Sequence, residues 1–377
     1  MKVLHLMSCR GWTSDAYWAA RISTELGRAG HEATLVCKRG SEAAVIDRAR
    51  QTGADRIDTL AFASGVHPLS DAADLRRLIG WLAGADVVHV HRGKEHWLAA
   101  VANRFAATPR PLVRTRHIVQ VVRPHALNRW LYATATSLVV TVTEAIRRQY
   151  IAGGLVPPER VVALPGGVDV ERFHPALDGS LFRRSLAIAP DMPLIGLVAG
   201  LRVMKGHRVV VEAVERLAAS GRRFHAVFIG RGSSEAAIRQ AIAEAGLESR
   251  ITVTGFTPDL PAAIAALDVA LYAALESDGM SRVVFEYLAM AKPVVATRVG
   301  VVPEALEDGR TALLVPAAGA GPLAESLGRL LDDAALRARL GTAAGELART
   351  RLSGAVVARR LAALYAGLAG GAQRQAS

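Results

Sequence analysis

The sequence predicts an α/β chain of two Rossmann-like, doubly wound domains, and three observations carry that expectation. Short β-branched runs alternate with helical-period segments along the chain, the pattern of parallel sheets covered on both faces. The 377 residues exceed one ordinary domain of roughly 100–200 residues. The alternation lapses at PGGVDVERFHP, where proline and glycine replace periodicity, and then restarts. The expected division is 1–173 for an N-terminal domain, 174–355 for a C-terminal domain, and 356–377 for a last helix with a frayed tail.

In order, KVLHLM, ATLVC, DVVHVH, PLVRTRH, SLVVTVT and RVVALP are the strands expected in the first domain. Helices separate them, for example DAYWAARISTELGRAG, where Ala19, Ile22 and Leu26 form one stripe and Gly30 ends it. LIGLVAG, FHAVFIG, RITVTGF, VALYAA, PVVATRV and TALLVP are the strands of the second domain. From about residue 335 the chain is Ala/Leu/Arg-rich helix without strands. Open α/β sheets bind ligands beyond the carboxyl ends of their strands. Two such domains imply two substrates brought together.

The most apolar run, PAAIAALDVALYAAL, is 15 residues with Asp268 inside it, short of the roughly 20 a bilayer requires. MKVLHLMSCR reads as a buried strand, its apolar part being too short for a signal peptide. Cys9 and Cys37 form neither CxxC nor a disulfide framework, so a reduced cytoplasmic setting is expected.

Charge is uneven. The net charge is +12, and residues 1–170 hold 22 Lys and Arg against 14 Asp and Glu. Between Glu95 and Glu144 there is no acid, but there are Arg104, Arg110, Arg114, Arg116, Arg123 and Arg129. Such a stretch favours an anionic partner, or else consists of ordinary solvated arginines.

Five segments carry candidate chemistry. In ESDGMSRVVFEYLAM a turn leads from a strand into a helix over Ser281 to Ala291, ended by Pro293. A helix N-terminus points free N–H groups at an anion. Glu286, one turn further on, lies well for a ribose diol; alternatively it pairs with Arg282, four residues before it, while Ser281 or Asp278 caps the helix. In GLVAGLRVMKGHR, Arg202 and Lys205 occupy a loop between strand and helix and suit a diphosphate, although GxxxxGK[ST] is absent. Gly230 lies in the glycine turn of FIGRGSS, and Phe256 beside a turn could wall a base.

The fourth segment is VRTRHIV. His117 follows a strand and can donate a hydrogen bond or exchange a proton near neutral pH. His89, His91 and His96 stand on the preceding strand and helix. HVH is H-x-H, but no carboxylate or Cys set completes a tetrahedron, so no metal is expected. The fifth segment is CRGWTSDAYW, where Gly11 permits close backbone approach. Trp12 is the candidate ligand platform or else packs within its loop, and Trp18 is a packing residue.

Taken together and in this order, these pieces resemble the family-4 glycosyltransferases of GT-B fold. The resemblance rests on the Gly11 loop, His117, TVTEAIRRQYIAGG, PGGVDVERFHP, the Arg/Lys loop, TGF and the acidic helix. TVTEAIR looks like the family's S-E-x-x-R, and PGGVDVERF like its N-G-V-D-x-x-x-F. The resemblance implies that the C-terminal domain holds a nucleotide diphosphate sugar, the N-terminal domain holds the acceptor, and the last helix returns to the N-terminal domain. It further implies that Glu286 is the second acid of E-x7-E, contacting ribose. Eight positions earlier stands Asp278, not Glu276, as the acid for the donor sugar. Gly279, Met280, Ser281 and Arg282 would then offer backbone N–H groups. Lys205 matches the lysine that neutralises the diphosphate. The family's arginine position is Gly200 here, and Arg202 is the candidate substitute.

The same resemblance implies a retaining transfer with no cofactor and no metal. The acceptor is expected to be a glycan or lipid-linked molecule, anionic like a lipopolysaccharide core, with peripheral contact to an anionic membrane and no nucleic-acid partner. The expected location is the cytoplasm, either free or peripheral on the inner face of the cytoplasmic membrane. The alternatives are a GT-B nucleotide-sugar epimerase and a basic anionic-surface-binding protein without catalysis.

Overall fold

The computed structural model describes residues 1–276 and 279–376, with side chains described as far as residue 370. The chain forms two compact units. One comprises Met1–Gly167, Asp278–Met280 and Gly354–Ser377; the other comprises Val168–Ser277 and Ser281–Ser353.

The first unit is built on seven parallel strands: β1 (Lys2–Met7), β2 (Glu32–Lys38), β3 (Ile57–Leu60), β4 (Val87–Val90), β5 (Leu112–Arg116), β6 (Leu138–Thr141) and β7 (Val161–Ala163). Their order is β3-β2-β1-β4-β5-β6-β7, so the winding reverses between β1 and β4. Strands β4, β5 and β6 are buried along their whole length, which is why they read as apolar runs. Strand β3 is absent from the sequence expectation, and its position explains why. It is an edge strand of sequence IDTL whose first three residues are half-exposed, so it needs neither length nor continuous hydrophobicity.

The second unit has six parallel strands: β8 (Leu194–Val198), β9 (His225–Ile229), β10 (Ile251–Gly255), β11 (Val269–Tyr272), β12 (Val294–Thr297) and β13 (Leu313–Val315). Their order is β10-β9-β8-β11-β12-β13, with the reversal between β8 and β11. A continuous apolar core runs from Ile195 and Leu197 of β8 through Val210 and Val214 of the helix His207–Ala219 to Leu323 and Leu327 of the helix Ala320–Asp332. The last helix, Gly354–Ala376, packs on the helix Ser14–Arg28 of the first unit and buries Tyr365 completely.

Among the described residues no helix is long and apolar enough to cross a membrane. The arginine stretch is not one surface. Arg114 and Arg116 of β5 are 3% and 8% exposed, because β5 is a central strand with both faces covered. Arg104, Arg123 and Arg129 are exposed.

Candidate functional site

In the first unit the sequence-selected residues collect at the carboxyl ends of β1, β4 and β5, at the point where the winding reverses. Strand β1 leads into the loop holding Gly11, where a Cβ would meet open space. Trp12 in that loop packs edge-on against Tyr17, with ring centroids 6.3 Å apart. Trp18 is fully buried, and its indole lies edge-on to His117 at 5.5 Å. Asp15, in the first turn of the helix Ser14–Arg28, accepts a hydrogen bond from Arg92 Nε at 2.6 Å and another from the Thr13 hydroxyl. Burial works against its charge, yet these bonds hold its carboxyl below the usual range. Glu95 joins the ends of β1 and β4 by accepting from the backbone N–H of Arg92 at 2.6 Å and of Ser8 at 3.2 Å.

His117, the first residue after β5, is half-buried, and its Nε2 lies 3.2 Å from His91 Nδ1. Burial pushes its pKa down to about 3; Asp15 opposes the shift, while Arg114, Arg116 and Arg92 add to it. Burial thus favours the neutral ring over the imidazolium, leaving hydrogen-bond donation as the role its surroundings favour. On the same face of the sheet, His5, His89 and His91 bring their ring nitrogens within 4.8 Å of one another. Each of those nitrogens already has a hydrogen-bond partner: His91 and Tyr365 for His5, Tyr365 and Thr115 for His89, His5 and His117 for His91. A metal ion there would have to strip bonds that burial makes expensive to lose.

Alternation puts Arg114 and Arg116 on the opposite face of β5 from Thr115 and His117. Arg116 donates to Gln120 O at 3.0 Å and lies over the Tyr150 ring at 5.6 Å. Among the described residues, Arg114 Nε and Nη1 are buried without hydrogen-bond partners, as are His96 Nδ1 and Glu95 Oε2. Buried guanidinium donors left open in this way are suited to an anion or ordered water. Gly279 belongs to this unit as well. It bridges Ile118 in antiparallel fashion, and a Cβ on it would stand 2.0 Å from His117 O. Met280 beside it is buried. Asp278 lies outside the described residues.

In the second unit the loop after β8 carries exposed Arg202 and partly buried Lys205, the latter in the single 3-10 turn Val203–Lys205. Gly206 ends that turn at φ 72° and serves as N-cap of the helix His207–Ala219. A Cβ there would stand 1.9 Å from Ala273 O, and Leu275 N donates to Met204 O at 2.9 Å. The loops after β8 and β11 thus lie backbone to backbone. A Cβ on Gly230 would stand 1.9 Å from Ala199 O; this glycine is explained by clamping the β8 loop, whatever it does toward a ligand. Phe256, 58% exposed at the end of β10, lies under Arg231 at 4.9 Å.

The loop after β11 leads to the helix Arg282–Ala289, shorter than the sequence expectation at both ends. Ser281 at its N-cap makes no side-chain cap bond and instead pairs its hydroxyl with Tyr272. Glu286 is 2% exposed and accepts from Arg282 Nε at 2.9 Å through Oε1, the alternative to ribose contact. Tyr287 anchors the same helix to β8 by accepting from Val198 N–H at 2.8 Å. Sequence reasoning did not find Asp15, Arg92, Glu95, His5, Thr115 or Tyr365. A histidine inside the apolar run KVLHLM was the only local signal among them.

The family model "Glycosyl transferases group 1" matches residues 192–333, and "Glycosyltransferase Family 4" matches residues 16–172. The 2-deoxystreptamine glucosyltransferase of Streptomyces kanamyceticus is 31% identical over 288 residues, 71% of this chain and 72% of that relative. The chain belongs to the family-4 glycosyltransferases. A D-inositol 3-phosphate glycosyltransferase of Corynebacterium glutamicum is likewise 31% identical, over 74% of this chain and 72% of its own length. In structure, a glycosyltransferase from Rickettsia africae superimposes with a TM-score of 0.85 at 18% identity, covering 97% of this chain and 98% of that one. Anabaena HepE, solved with UDP, gives a TM-score of 0.81 at 20% identity, covering 98% and 100%. The two parallel-sheet units of this family-4 enzyme are those of the GT-B fold.

Proposed function

We propose that this glycosyltransferase moves a sugar, with retention of anomeric configuration and without a metal, from a nucleoside diphosphate sugar to a hydroxyl of a phosphate-bearing glycan or lipid-linked acceptor. One observation carries the donor half. The Arg202/Lys205 loop lies against the backbone of the loop leading into the helix Arg282–Ala289, at the winding reversal of the second sheet. That convergence offers two cations and a helix N-terminus to one anion. Relatives named for UDP complexes and for phosphorylated acceptors support the same reading.

In the proposed step the bond between the sugar C1 and the diphosphate oxygen breaks, and the acceptor oxygen bonds to C1. The acceptor proton passes to the departing phosphate oxygen. Lys205 and Arg202 neutralise the leaving diphosphate, Phe256 walls the base, Glu286 takes the ribose and Asp278 the donor sugar.

The exposed segment after β5 carries the membrane half of the proposal. Val121 and Leu127, 70% and 64% exposed, stand with Arg123 and Arg129 in a segment without acids. Apolar tips with flanking cations suit an anionic bilayer surface.

The test is a transfer assay with product anomer read by NMR. Retention is expected, with Lys205→Met lowering kcat about 10²–10³-fold, as for loss of one charge-stabilising donor. Inversion, or donor turnover to an epimer without acceptor, would overturn the reading.

A further inference from the structure

One face of the first sheet carries an unbroken file of hydrogen-bonding groups. Register builds it: His5 of β1 lies beside His89 of β4, His89 lies beside Val113 of β5, and alternation adds His91, Thr115 and His117. Thr115 Oγ1 is 2.6 Å from His89 Nε2, and His89 Nδ1 is 2.5 Å from the Tyr365 hydroxyl. That hydroxyl lies 3.5 Å from His5 Nε2, the longest link. His5 Nδ1 is 3.1 Å from His91 Nε2, and His91 Nδ1 is 3.2 Å from His117 Nε2. At the far end His117 Nδ1 is buried without a partner among the described residues.

A neutral imidazole donates through one nitrogen and accepts through the other, so each link fixes the next. The direction is read from both ends: a bound oxygen can accept from an N–H on His117 Nδ1, whereas among the described residues the Thr115 hydroxyl has His89 alone to donate to. Thr115 is fully buried, and among the described residues its hydroxyl has His89 Nε2 as its hydrogen-bond partner. If the file ran the other way, His89 would donate to Thr115 and the hydroxyl proton would be buried without an acceptor, which is unfavourable. Thr115 therefore donates to His89, His89 to Tyr365, Tyr365 to His5, His5 to His91, and His91 to His117.

We propose that Thr115 and Tyr365, through His89, His5 and His91, are positioning residues that hold His117 as its Nδ1–H tautomer, a hydrogen-bond donor to a substrate oxygen and not a base. That the oxygen belongs to a nucleotide sugar or its acceptor rests on the transferase reading; the tautomer does not. Burial keeps the Tyr365 phenol protonated and the histidines neutral. Around His117, the Asp15 carboxylate on the helix Ser14–Arg28 favours an outward N–H. Arg92 before the helix Gly93–Phe105, and Arg114 and Arg116 on β5, oppose a full positive charge.

The test uses the full chain labelled with ¹⁵N-histidine, His117 being assigned by its disappearance in His117→Gln. In the wild type Nδ1 of His117 is expected to be the protonated nitrogen. Thr115→Val removes the donor at the closed end, so the Nε2–H tautomer of His117 appears; Thr115→Ser restores the wild-type pattern. Tyr365→Phe interrupts the file and gives mixed tautomers, a second variant should the first fail to fold. In turnover, Thr115→Val loses about tenfold in kcat with donor KM unchanged; the serine variant restores it. An Nε2–H tautomer in the wild type, or no change in either variant, would overturn the proposal. Should the tautomers behave as described while no nucleotide sugar is turned over, the transferase reading fails and the tautomer control stands.

Discussion

At Gly206 the backbone sits at φ 72° and the missing Cβ would stand 1.9 Å from Ala273 O. Left-handed backbone alone costs an ordinary residue about 1–2 kcal/mol, and the backbone contact cannot yield as a flexible side chain would. Gly206→Ala should therefore push the Arg202/Lys205 loop off the β11 loop. Nucleotide affinity is expected to fall at least about tenfold, with melting temperature lowered as well; unchanged calorimetric affinity would refute the loop's role. The acids of ESDGMSRVVFE are tested by comparison. If the eight-residue register from Glu286 holds, Asp278→Asn loses far more turnover than Glu276→Gln; equal losses would break it. The places of Glu286 on a helix and of Lys205 in a loop after a strand were legible because strand, loop and helix start can be read locally. The downward pull on the His117 pKa was not, since it comes from burial and from groups that only the sheet brings to it.

Elements explain which signals were readable. Central strands announced themselves as apolar runs, whereas the edge strand β3, polar and half-exposed, did not. The arginines of β5 looked like a surface because a strand with cations at alternate positions usually faces water; here covering elements bury both faces. The histidine face has a measurable consequence. Burial holds His5, His89, His91 and His96 below the ordinary value of 6.5. The unfolded chain takes up protons at about that pH while the folded sheet does not. Stability is thus fully present above about pH 6.5 and falls as pH drops below it, with a slope of up to about 1.4 kcal/mol per pH unit for each histidine. Urea midpoints at pH 5 and 7.5 should differ accordingly, and His5→Gln should flatten the slope. A pH-independent midpoint would show that these rings are not neutral and buried.

For the molecule as a whole, the net charge of +12 acquires a location once the buried arginines are set aside. The exposed cations beside Val121 and Leu127 are the proposed membrane contact. Arg123→Glu with Arg129→Glu should weaken binding to phosphatidylserine vesicles at least about tenfold, at roughly 1 kcal/mol per basic residue near an anionic surface. Binding to neutral vesicles should not change. Equal sedimentation of wild type and double variant with anionic vesicles would remove the membrane half of the proposal. The two-unit α/β architecture was legible from alternation alone, but donor and acceptor are written in side-chain convergence that no linear spacing displays. The most direct measurement is a calorimetric screen of UDP, GDP, ADP and CMP sugars against the 377-residue chain and its Lys205→Met and Glu286→Gln variants. One nucleoside diphosphate sugar should bind the wild type and lose at least about tenfold in affinity to each variant. No binding by any of them, or binding indifferent to both substitutions, would contradict the proposed donor site.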